Sequence, residues 1–218
     1  MRTLKSTLLV ATLIAAPLAA QAAVADINFF GPGVSGSLHL TFGPNTDADY
    51  PGQAFEVTNI TGIFSDSNNG LNIVNAPVGP LVPIRQDMPE PGNVNAPKDF
   101  SRFGPIAGLP DDNHGFLTYD NLYWPGGSPQ TAFDYPAAGG FLDIYGLMFE
   151  IGNGRVVDVW SNGTFVPGGF VDYGVAVANS DRALDYVSGG VELPEPATLS
   201  ILGVGLLGLL ARRRRPAA

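Results

Sequence analysis

The chain is predicted to fold as an all-β body, an antiparallel β-sandwich or distorted barrel. It is flanked by an N-terminal signal peptide and a C-terminal transmembrane helix. Three observations carry the β assignment. Short runs alternate apolar and polar residues, 28 glycines and 19 prolines punctuate 218 residues, and no useful helical periodicity lies between the two ends.

The elements follow in chain order. Arg2 and Lys5 precede an apolar run over residues 8–20, and Ala20-Gln21-Ala22 supplies an A-x-A cleavage site. Ala23-Val24-Ala25 offers a second cut, so residues 1–25 are assigned to an export signal. Strands are expected at residues 34–42, 54–64 and 71–74, with Asn68-Asn69-Gly70 turning between the last two. Seven prolines over residues 76–108 argue for loop or edge structure, because proline cannot donate to a central ladder. Residues 114–123 read as another strand. The strongest unit is 141–151, Gly152-Asn153-Gly154, then 155–160: Asn-Gly between alternating runs is a hairpin signal. Asn162-Gly163 turns into a third strand carrying Val171, Tyr173, Val175 and Val177. Leu147, Phe149, Val157 and Val159 fall on one face of this meander and are the expected core.

The chain ends in three parts: Pro194-Glu195-Pro196, an apolar stretch over residues 197–211, and Arg212, Arg213, Arg214 and Arg215. As a helix the apolar stretch spans about 22 Å against a hydrocarbon core of about 30 Å, so it crosses only with thinning or arginine snorkelling. The four arginines mark the cytoplasmic end. A plain anchor would not need the Pro-Glu-Pro.

This tail resembles that of the PEP-CTERM family of bacterial exported proteins. The resemblance implies recognition by an exosortase, a membrane transpeptidase-like enzyme that removes the tail near Pro194, Glu195 and Pro196, with the inner membrane as a transient station. It also implies a cell-surface or extracellular destination beside exopolysaccharide or biofilm material. Asp120-Asn121-Leu122-Tyr123-Trp124, with the following turn and residues 141–163, is similar to a segment of uncharacterised PEP-CTERM exoproteins. The organisation expected is thus a signal at 1–25, one extracytoplasmic domain at 26–193, and a sorting tail at 194–218.

Removing both ends leaves five cations (Arg85, Lys98, Arg102, Arg155 and Arg182) against 19 carboxylates, a net charge of −14. A body this acidic repels phosphate backbones, so no nucleic-acid partner is expected. The chain has no cysteine, so an exported domain of this size holds together without disulfides.

No catalytic activity and no cofactor are expected. His39 and His114 are the only histidines, and Gly33-Val34-Ser35-Gly36-Ser37 fails the nucleophile-elbow pattern at its last position. Asp66-Ser67-Asn68-Asn69-Gly70 begins like a Ca²⁺ loop, but Leu71 and Pro77 stand where an EF-hand needs glycine and glutamate. Asp111-Asp112-Asn113 clusters oxygen ligands without a motif, and no metal site is assigned. The alternative to a sorted matrix protein is a carbohydrate-binding module, with Tyr123, Trp124 and Trp160 stacking on sugar rings.

Overall fold

The computed structural model describes residues 22–85, 95–105, 116–133, 135, 138–164, 170–179 and 182–193. The signal region, the tail from Pro194 onward, His114 and Asp111-Asp112-Asn113 lie outside the described residues. The described residues are all-β and antiparallel apart from one 3-10 turn, and no helix among them is long and apolar enough to cross a membrane.

The first sheet is a meander of β1 (Ala23–Gly31), β2 (Val34–Thr46), β3 (Phe55–Asp66) and β4 (Ile73–Pro77). Pro32-Gly33 closes its first hairpin, where Gly33 takes a φ of 76° that a side chain would oppose. The 3-10 turn Asn68–Gly70 joins β3 to β4. β5 (Ser101–Pro105) and β6 (Phe116–Tyr119) form a separate ribbon, and β7 (Leu122–Tyr123) pairs with the start of β3. The second sheet runs β11-β10-β9-β8, from β8 (Leu147–Gly152), β9 (Arg155–Gly163), β10 (Asp172–Ala178) and β11 (Ala183–Val191). Asn153 and Gly154 both have positive φ (55° and 67°), the geometry that a two-residue hairpin turn demands.

Alternation then builds the core. Ile27, Phe29, Leu38, Leu40, Ile60 and Phe64 from the first sheet share one apolar cluster with Leu147, Phe149, Val157, Val159, Val175 and Val177 from the second. Both lateral edges are joined by main-chain bonds. Gly79 N donates to Glu150 O, Glu150 N to Pro80 O and Val82 N to Met148 O (2.6, 3.0 and 2.8 Å), so the chain after β4 crosses to the edge of β8. On the other side Phe30 and Glu192 exchange bonds of 3.2 and 2.9 Å. The contact on that side is a single bridge at the ends of β1 and β11, so the two sheets are tied there at one point.

The other face of the second sheet is covered as well. Met148, Val156, Trp160, Ala176 and Ala178 pack against Phe100, Leu117, Tyr119 and Tyr145. Of the proline-rich 76–108, the described residues 78–85 and 95–100 form no extended strand, but Ser101–Pro105 pairs as β5. The strand expected over 114–123 is two strands, β6 and β7. It breaks at Asn121, which adopts φ 55° and uses its side-chain amide to bond Val82 O and Met148 N, both at 2.9 Å.

Candidate functional site

Three places bring polar chemistry together: the end of β11, a cleft beside β3, and a set of buried acids. Gly189 and Gly190 (φ 100° and 72°) make a bulge that carries β11 around Asp172, whose Oδ1 accepts Gly190 N at 2.7 Å. Beyond it Val191 is buried, Glu192 pairs with Phe30, and Leu193 reaches the core cluster. The folded body therefore runs up to the residue before Pro194.

The cleft encloses about 670 Å³, and Asp47, Glu56, Asp99 and Asp120 line it with one cation, Lys98. Asp47 fixes its rim: Oδ1 accepts Asp49 N and Tyr50 N at 2.8 and 3.2 Å, and Oδ2 accepts Lys98 N at 3.1 Å. At the back, Asp120 Oδ1 accepts Leu122 N at 2.9 Å. Asp143 Oδ1 accepts Tyr145 N and Gly146 N at 3.0 and 3.2 Å. The two carboxyl groups contact each other, and Asp143 also touches the Thr131 hydroxyl. Burial pushes the Asp120 carboxyl well above the carboxylate range, and the Asp143 charge adds to it. Asp143 also moves up through burial, opposed by N–H groups donating to it. Asp158, 1% exposed, moves well up for the same first reason.

A second acid contact spans the two sheets. Asp66 at the end of β3 meets Asp185 of β11, while Asn68 and Asn69 donate their side-chain amides to Asp185 Oδ2 and Oδ1 at 3.0 and 2.7 Å. The Asp-Ser-Asn-Asn-Gly run is thus a clasp across the sheets. Among the described residues no three His, Asp or Glu side chains gather as a metal-binding group. His39 lies on the solvent face of β2, paired with Asp26 at 2.6 Å.

The aromatic residues expected to stack on sugars are inside the protein, and that expectation is corrected. Trp124 is 0% exposed and packs edge-on against Tyr50 at 5.0 Å. Tyr123 lies between Phe42 and Phe141 at 5.0 and 5.9 Å. Trp160 stacks on Tyr186 at 5.3 Å while Gly174 closes against its ring. A covered ring offers no face to a sugar; the large apolar area of these side chains is used for packing instead. Trp160 Nε1 donates to Asn162 Oδ1 at 2.9 Å. Trp160→Phe should keep the stack and lose that bond, lowering stability by about 1 kcal/mol in urea unfolding. Sequence reading missed the contact between Asp120 and Asp143, for which no spacing rule exists.

A family model, the PEP-CTERM protein-sorting motif, matches residues 192–215. The chain carries a PEP-CTERM sorting motif. No curated protein and no solved structure matches it. The PEP-CTERM match covers Pro194, Glu195, Pro196 and Arg212, Arg213, Arg214 and Arg215, and begins inside the folded body at Glu192. The motif implies an exported protein, anchored at the membrane until an exosortase processes it.

Proposed function

We propose that the chain is a non-catalytic, exported surface or matrix protein whose acidic β body is the cargo of its PEP-CTERM tail. A signal over residues 1–25 directs export. The apolar stretch after Pro196 holds the precursor in the inner membrane, with Arg212, Arg213, Arg214 and Arg215 inside. An exosortase acts near Pro194, Glu195 and Pro196, and the body remains at the cell surface or in the extracellular matrix beside exopolysaccharide. Cleavage after Ala22 leaves β1 whole, whereas cleavage after Ala25 removes three residues that pair with Phe42, Thr41 and Leu40.

One observation carries this reading: the sorting motif joins the folded body with no spacer, since Leu193 is packed and Pro194 follows it. A net charge of −14 keeps such a body soluble in a hydrated polymer and favours no anionic partner. Intact mass and C-terminal peptide mapping of the protein from its host's envelope and medium test it. The expected product ends near residues 194–196, with or without added mass there. Mature protein that retains Arg212, Arg213, Arg214 and Arg215 would overturn the processing step and leave a membrane-tethered β domain.

A further inference from the structure

Asp120 and Asp143 present an unusual pair. They are 3% and 1% exposed, their carboxyl groups are in contact, and each has an Oδ2 with no hydrogen-bond partner. Their Oδ1 atoms are engaged by main-chain N–H groups, which fixes both carboxyl groups where they touch. Unpaired buried carboxylate oxygens are costly, and an ion is one of the few things that satisfies two of them together. Asp120 also lines the cleft where Asp47, Glu56 and Asp99 stand. A cleft walled mostly by one sign of charge concentrates counter-ions and gives a cation a route inward.

We propose that Asp120 and Asp143 form a buried divalent-cation site, taking Ca²⁺ through the acid-lined cleft. The two carboxylates balance the ion's charge. The Thr131 hydroxyl, main-chain oxygens and water complete a shell made only of oxygen, which suits Ca²⁺ rather than zinc. Mg²⁺ fits less well, because it demands strict octahedral geometry and sheds water reluctantly. Two carboxylates and neutral oxygens make a weak site, with a dissociation constant of about 10⁻⁴ to 10⁻³ M, matched to calcium outside the cell.

The test uses the full chain stripped with EDTA and titrated with CaCl₂, followed by native mass spectrometry and thermal unfolding. One Ca²⁺ per chain and a saturable rise in melting temperature are expected. Asp143→Asn and Asp120→Asn should each weaken binding by roughly tenfold or more, while the surface control Asp49→Asn leaves it unchanged. If either variant fails to fold, Tb³⁺ luminescence of the unaltered chain, excited through its aromatic rings and displaced by CaCl₂, reads the same site. Absence of a saturable mass or stability change would overturn the proposal and leave a shared proton between the two acids. A calcium response undiminished in both variants would overturn it too, placing the effect on the acidic surface.

Discussion

Gly146→Ala should abolish stable folding of the body, with a loss of more than about 4 kcal/mol. Gly146 sits at φ 72°, and a Cβ there would lie 2.1 Å from Val159 O and 2.8 Å from Trp160 Cα. Both are main-chain atoms of β9, so relief requires moving the strand, not turning a side chain. The same residue is a hydrogen-bond hub: its carbonyl accepts Asp120 N and Asn121 N at 3.3 and 2.9 Å, and its N–H donates to Asp143. Displacing it therefore loosens β8, β9 and the buried acids together. Gly52→Ala is the control. Gly52 has nearly the same φ, 75°, but nothing within 4 Å of its added Cβ, so only the backbone term of about 1 kcal/mol applies. Circular dichroism and urea unfolding of the two variants separate close approach from conformation. Equal, small losses would refute the packing argument. A domain typically stable by about 5–15 kcal/mol has little margin for the Gly146 change.

What the sequence displayed and what it concealed divide along physical lines. Val157 and Val159 are legible as core because they repeat with period 2 between two turn signals, and both are fully buried. The same rule sets Asp158 and Trp160 on the opposite face, where alternation suggests solvent. They are instead covered, because Phe100, Leu117, Tyr119 and Tyr145 arrive from distant parts of the chain. No local pattern announces such a cover. β11 escaped notice for a related reason: Asp185, Ser188 and the Gly189-Gly190 bulge interrupt its alternation, and pairing with β10 is what makes it a strand. β1 was hidden beside the signal region, where small apolar residues suit a cleavage site and a ladder equally.

The sites divide in the same way. The sorting tail is legible because a short linear motif carries its own order, Pro-Glu-Pro, apolar stretch and arginines, independent of the fold. The sugar-stacking residues were misplaced because composition does not distinguish an exposed ring from a packed one, and Trp124 beside Tyr50 is packed. The acid pair at the back of the cleft depends on Asn121 and Gly146 bringing two loops together, which is tertiary information. Sorting and folding meet at Leu193, where the matched motif and the core share a residue.

That meeting point gives the clasp between Asp66 and Asp185 a measurable consequence, since β11 ends where the tail begins. Burial raises the Asp66 carboxyl from 3.8 to about 6, with the facing Asp185 carboxylate adding to it and the Asn68 N–H acting against it. The folded state thus holds a proton that the unfolded chain releases first. Stability from this group is fully present below about pH 3.8 and is lost as pH rises to about 6, above which solvent screening holds the cost below about 3 kcal/mol. Asp158, raised by burial in the same direction, tilts the curve the same way. In EDTA, urea unfolding from pH 4 to 7.5 should therefore show stability falling with pH. Asp66→Asn keeps an oxygen for Asn68 N–H and offers Asp185 a donor in place of a charge. It should raise stability at pH 7.5 by up to about 3 kcal/mol and flatten the slope between pH 4 and 6. A variant curve that runs parallel to the unaltered protein's would show that Asp66 ionises without strain and that the clasp is held by the Asn68 and Asn69 amides alone.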